Sequence, residues 1–99
     1  MRVIENVLVT DIKSVTIDGS AALKFRAGTK KLSGGLEFWN VTVVEKQPLE
    51  MLQRGEVNER DWVNIYGFME KWTGKDGNKH EEIFVWRMDL PLTRKGGAT

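Results

Sequence analysis

A chain of 99 residues with 40% apolar and 29% charged side chains is large enough to bury one core and too small for two. No apolar run approaches the roughly 18 to 20 residues of a membrane span, and Glu5 and Asp11 interrupt "MRVIENVLVTDIKS" where a signal peptide needs an apolar centre, so a cytoplasmic protein is expected. The absence of cysteine excludes disulfides and thiolate metal sites, and 15 basic against 14 acidic residues leave a net charge of +1, which by itself favours no polyanionic partner.

The first strand is predicted over Val3 to Thr10, where apolar and polar residues alternate. Asp18-Gly19 follows as a turn that suits positive φ. The second strand, Ala21 to Ala27, puts Leu23, Phe25 and Ala27 on a core face and Lys24 and Arg26 on a cationic outer face. It opens a charge bias: Lys24, Arg26, Lys30 and Lys31 occur before Leu36 with no acid among them. By contrast, Glu45 to Asp61 holds Glu45, Glu50, Glu56, Glu59 and Asp61 against Lys46, Arg54 and Arg60. Lys30 and Lys31 fall in the loop before the third strand, where they either keep a loop solvated or clamp phosphates. Gly34-Gly35 is a second turn suited to positive φ.

The third strand, Leu36 to Val44, contains the neighbours Phe38 and Trp39, which a strand sends to opposite faces. Trp39, Val41 and Val43 make the better core, leaving Phe38 outside with Asn40 and Thr42. A short helix follows, with Pro48 in its first turn, Leu49, Met51 and Leu52 on its apolar side, and Gly55 at its end. The fourth strand, Trp62 to Lys71, alternates inward Val63, Ile65 and Met69 with an unusually aromatic outward set of Trp62, Asn64, Tyr66 and Phe68. "GKDGN", from Gly74 to Asn78, is a hairpin tip, and Trp72 beside it, flanked by Lys71, Lys75 and Lys79, has few core contacts within reach. In the fifth strand, Ile83 to Leu90, the spacing of Phe84, Trp86, Met88 and Leu90 reads as core. "TRKGGAT" has little to bury, so the domain is expected over residues 1–92 with a flexible tail over 93–99.

Five strands with one helix between the third and fourth is the element order of the all-β OB-fold, a Greek-key barrel. Burying a Phe or Trp contributes roughly 1.5 to 3 kcal/mol or more, so rings left outside call for a covering surface: a nucleic-acid strand or another subunit. Unpaired nucleic acid offers flat bases and phosphates together, which suits Phe38 and Trp72 as stacking platforms beside Lys24, Arg26, Lys30, Lys31, Lys71, Lys75 and Lys79, with Asn40 on the same face. Trp62, Tyr66 and Phe68 read as a subunit interface. His80, followed by Glu81 and Glu82 on opposite faces, lacks the converging ligands of a metal site and reads as a surface hairpin residue. No nucleophile elbow, phosphate-cradling glycine loop or HExxH motif appears, so neither enzymatic activity nor a cofactor or metal is expected.

"FWNVTVVEKQPLEML", Phe38 to Leu52, resembles the third strand and helix entry of bacterial and phage single-stranded DNA-binding proteins, with an aromatic, an Asn, a β-branched run and Lys-Gln in similar places. "KWTGKDGNK", Lys71 to Lys79, resembles that family's hairpin between the fourth and fifth strands, and "ENVLVTDI" and "DGSAALKFRA" are weaker matches. The resemblance implies an OB-fold homo-oligomer, dimer or tetramer, that binds single-stranded DNA with little sequence specificity in replication, recombination or repair, in a bacterial cytoplasm or nucleoid or a phage-infected host. It places Phe38 and Trp72 at stacking positions, Lys24 on the DNA side and Trp39 at a position of subunit contacts. Three departures stand out. Val44 replaces an aromatic of many relatives, the segment between Gly67 and Trp72 is shorter, and "TRKGGAT" replaces an acidic tail, which would suit a phage or plasmid protein or a truncated chain. The alternatives are an OB-fold protein-interaction module of the primosome or restart accessory type, and a cold-shock-like RNA-binding barrel.

Overall fold

The computed structural model describes residues 1–91; position 92 and the expected tail from 93 lie outside the described residues. Its elements are β1 (Arg2–Ile17), β2 (Ser20–Lys30), β3 (Leu36–Val43), α1 (Lys46–Gln53), β4 (Trp62–Thr73) and β5 (Lys79–Asp89). They close into a barrel in the order β1-β2-β3-β5-β4, with every pairing antiparallel except β3 with β5. This is the expected OB barrel, with its one helix between β3 and β4.

The inward sets of the alternating strands make the core. Val3, Val7 and Val9 of β1, Leu23, Phe25 and Ala27 of β2, and Val41 and Val43 of β3 are buried, as are Val63 and Ile65 of β4 and Ile83, Val85 and Met88 of β5. Trp39 and Met69, both expected inside, are half-buried at the margin of this core. The helix turns Pro48 and Leu52 inward, and Gly55, at φ 74, ends it. Gln47 ties it to the sheet: its amide donates to the Met88 carbonyl at 2.8 Å and accepts the Met88 N–H at 2.9 Å.

β1 continues seven residues past the Thr10 expected from alternation because it carries a β-bulge. Between the pairs Thr10↔Arg26 and Lys13↔Lys24, Asp11 and Ile12 together oppose Phe25, and Asp11 takes φ 54. The extra residue reverses the in-out alternation, so a period of two read along the sequence stops there. The bend lets the first part of β1 pair with β4 and the rest with β2, and Leu8 pairs with both, facing Gly28 and Trp62. Asp18 and Gly19, at φ 49 and 80, form the two-residue hairpin turn that the sequence predicts.

A second bulge overturns the expected burial of Trp86. Tyr66 pairs with Arg87 and Gly67 with Val85, so Trp86 is the extra residue, and it is 41% exposed. The inward set of β5 is therefore Ile83 and Val85, then Met88, rather than Phe84, Trp86, Met88 and Leu90; Phe84 and Leu90 are half-buried. Gly67 permits the close approach: a Cβ there would overlap the Phe84 carbonyl oxygen and stand 3.0 Å from its carbon.

Candidate nucleic-acid interface

The outer surface of β2 and β3 carries Lys24, Arg26, Phe38, Asn40 and Thr42. Phe38 is 40% exposed, and its ring rests over Gly28, its partner across the ladder. The Arg26 guanidinium lies 5.0 Å from the ring centroid, and Arg26 pairs in register with the exposed Asn40. Phe38 thus holds a cation over its ring and sits against Gly28. Thr42, expected outside, does lie on the outer side but is only 1% exposed, because its hydroxyl donates to Glu82 of β5. Glu82 also pairs with Lys24 at 3.6 Å, so one carboxylate already neutralises a cation on this face. An open groove lined by Lys13, Lys24, Arg26, Asn40, Glu59 and Glu82 runs beside them.

The β4–β5 hairpin is longer than alternation predicts, so Trp72, Lys79 and His80, outside the expected strands, are paired strand residues, as Lys71 is at the expected end of β4. Trp72 is 45% exposed and stacks on His80 directly across the ladder, with ring centroids 5.4 Å apart and planes 20° apart. Lys71 pairs with Glu81 at 3.7 Å on the opposite side of the ribbon, while Lys75 and Lys79 are exposed. At the tip, the backbone N–H and side-chain amide of Asn78 hold the Asp76 carboxyl below its ordinary range, which keeps it ionised among these lysines. In register, Glu70 and Glu82 lie between the Trp72 pair and the Phe68–Phe84 pair. Among the described residues no group of three or more His, Cys, Asp or Glu converges as metal ligands.

The set assigned to a subunit interface divides in space. Trp39 is half-buried, its indole N–H donating to the Thr29 hydroxyl at 3.2 Å. Tyr66 sits 5.8 Å from Trp86, and Phe68, 48% exposed, pairs with Phe84. Phe68, Phe84 and Trp86 line a mainly apolar groove with Val44, Val85 and Glu45. Trp62 stands four residues from Tyr66 on β4, about 14 Å at about 3.4 Å per residue, with the Lys30 ammonium 5.2 Å from its ring centroid. Lys30 itself belongs to β2 and not to a loop, whereas Lys31 lies in the following turn, its N–H donating to the Gly35 carbonyl at 3.1 Å. Exposed Trp86 and Arg60, beside Trp62, are the residues that the sequence reading missed. Gly67 inside a strand was the available signal for the bulge that exposes Trp86; Arg60 carried none.

No protein-family model and no curated protein sequence matches the chain. Among solved structures it is similar to the mitochondrial single-stranded DNA-binding protein Rim1 of S. cerevisiae, with a TM-score of 0.71 and 13% identity over 91% of this chain and 94% of that one. A small single-stranded DNA-binding protein from Streptomyces coelicolor gives 0.63 and 16% identity over 95% and 94%. The dimeric N-terminal domain of PriB from Thermoanaerobacter tencongensis gives 0.59 and 14% over 92% and 93%. At such identities the likeness establishes the shared OB-fold.

Proposed function

We propose that this protein binds single-stranded DNA with little sequence preference, as a homo-oligomer serving replication, recombination or repair. The observation that carries the reading is the pair Phe38 and Trp72: two large rings left 40% and 45% exposed outside the core, the first under the Arg26 guanidinium. A barrel of this size gains stability from every ring that it buries, so rings held out are better explained by a partner that covers them. Unpaired bases fit because each has a π-face, which makes stacking indifferent to sequence. Phosphates would be met from among the cations Lys24, Arg26, Lys30, Lys31, Lys71, Lys75 and Lys79, not all of which need touch DNA; Lys24 and Lys71 are already paired with Glu82 and Glu81. Two single-stranded DNA-binding proteins share the barrel over nearly its whole length, which supports the same reading.

Titration with oligo-dT tests it. Phe38→Ala and Trp72→Ala should each weaken binding by about 1 to 3 kcal/mol with the fold intact, and tryptophan fluorescence should be quenched in the parent. If four cations meet phosphates, log K should fall against log salt with a slope of about −3. A salt-insensitive isotherm, or no quenching, would instead favour a protein-interaction module of the primosome accessory type. Competition between DNA and RNA oligonucleotides of equal length separates the cold-shock-like alternative, because the 2′-hydroxyl distinguishes the two.

The apolar groove of Val44, Phe68, Phe84 and Trp86 supports a second contact surface, for another copy of the chain. Joining barrels makes later DNA contacts intramolecular, lengthening the bound strand without new chemistry.

A further inference from the structure

We propose that Trp62 is a third stacking position, and that the bound strand crosses the barrel from Phe38 on β3, over Gly28 and Leu8, to Trp62 on β4. This rests on the single-stranded DNA reading and adds a path to it. The register defines that path. Leu8 pairs with Gly28 on one side and with Trp62 on the other, and Gly28 pairs with Phe38. Four positions therefore share one row around the outside of the barrel, with an aromatic at each end and a low apolar saddle between. Three steps between strands, at about 4.8 Å each, make the row about 14 Å long, well within the roughly 4 to 16 nucleotides that one OB barrel covers.

Charge favours this course over the one toward Trp72. Arg26 stands 5.0 Å from the Phe38 centroid, Lys30 stands 5.2 Å from the Trp62 centroid, and Arg60 lines the groove beside Trp62. None of these three cations makes an ion pair among the described residues. Asp61 also lines the groove, its carboxylate accepting the Asn58 N–H at 2.8 Å. The row itself holds no acid, whereas Glu82 and Glu70 face each other on the surface toward Trp72. A second protein subunit seated on Trp62 would cover Lys30 and Arg60 and would have to bring carboxylates to meet them. A polyanionic strand brings phosphates with every base.

Two details fit a built site. Arg60 is held at φ 71, left-handed backbone that glycine, asparagine and aspartate adopt more readily than arginine, by its own N–H donating to the Val9 carbonyl at 2.6 Å and the Val9 N–H donating to the Asp61 carbonyl at 2.9 Å. Strain retained at such a position marks a side chain whose placement matters. Lys30 covers the half-buried Trp62 ring in the free protein, and a cation over a ring that water still reaches is held more weakly than a stacked base. An arriving base takes the ring face, and the ammonium swings to the adjoining phosphate.

Anisotropy titrations of the full chain with a dT oligonucleotide of about 16 nucleotides would compare the parent with Phe38→Ala, Trp62→Ala, Trp62→Phe and the Lys30→Ala/Arg60→Ala double variant, with masses followed by sedimentation velocity. Trp62→Ala should lose about 5- to 140-fold in affinity at unchanged mass, Trp62→Phe should retain most of it, and the double variant should flatten the salt slope by about 1.4. If Phe38→Ala is weakened and Trp62→Ala binds like the parent, the path is wrong and the single-strand reading stands. If the parent does not bind oligo-dT, both are overturned. A loss in Trp62→Ala that tracks a change in mass assigns the ring to a subunit contact and overturns the proposal. Should Trp62→Ala fail to fold, photocrosslinking of the parent to an iodouracil-substituted strand decides: adducts at Trp62 support the path, and adducts confined to Phe38 or Trp72 overturn it.

Discussion

The ring of Phe38 lies over Gly28, so that a Cβ on that glycine would stand 3.1 Å from Phe38 Cε1 and 3.5 Å from Leu8 Cβ. The platform is therefore seated on backbone that a larger residue would lift. Because the obstructing atom is the edge of an exposed ring, Gly28→Ala should change stability by about 1 kcal/mol or less while tilting the ring. Its affinity for oligo-dT should fall by less than the roughly 1 to 3 kcal/mol expected for Phe38→Ala. Thermal unfolding and anisotropy read the two effects separately; an affinity equal to the parent's would show that the seat of the ring is immaterial to binding.

Glu82 makes a different prediction, since it places an acid on the proposed binding surface. Its carboxylate accepts the Thr42 hydroxyl and pairs with Lys24 at 3.6 Å. Glu82→Gln keeps an acceptor for Thr42 and removes the charge. A partly exposed ion pair contributes about 0 to 1 kcal/mol, so stability should change little. Lys24 becomes available to a phosphate, and binding should tighten, with the salt slope steeper by about 0.7 for one added contact. Weaker binding would mean that Glu82 positions Lys24 for DNA instead of competing with it.

Gly67 should tolerate no side chain. A Cβ there would overlap the Phe84 carbonyl oxygen and come within 3.1 Å of Val85 Cα, and both are backbone atoms of a paired strand. Forcing one methyl into such a site costs roughly 1 to 3 kcal/mol, and for a domain of this size each kcal/mol lowers the thermal midpoint by about 4 to 8 °C. Gly67→Ala should unfold correspondingly earlier. An unchanged midpoint would show that the bulge can relax, and with it the outward placement of Trp86.

What the sequence made legible is the part governed by unbroken alternation. Leu23, Phe25 and Ala27 against Lys24 and Arg26 is a period of two between turns, and burial follows it. Phe38 and Trp39 divide as that period requires, and Asp18-Gly19, Gly34-Gly35 and Gly55 all take positive φ. Illegibility begins at each bulge, because one inserted residue reverses every face beyond it. The arm of β1 past Asp11 and the outward Trp86 were lost for that reason. Cross-strand neighbours were equally hidden: nothing local in Lys30 points to Trp62, 32 positions later, nor in Lys24 to Glu82.

The apolar surface made by the second bulge carries the last prediction. Trp86 stands outward against Tyr66 at 5.8 Å, Phe68 pairs across the ladder with Phe84, and Val44 closes the groove between them. If two copies meet here about a twofold axis, each brings the same patch to the other. Phe68→Glu would then set further carboxylates beside Glu45 in a contact whose other lining residues are apolar, and like charges brought together across an interface cost several kcal/mol, where about 1.4 kcal/mol is tenfold in the association constant. Sedimentation velocity over a range of concentrations should show the parent as an oligomer and Phe68→Glu as a monomer. The variant should keep its affinity for a short dT oligonucleotide, since Phe38 sits on β3 and contributes nothing to this patch. A parent that sediments as a monomer at every concentration would sink the self-association surface and leave the groove to a different protein.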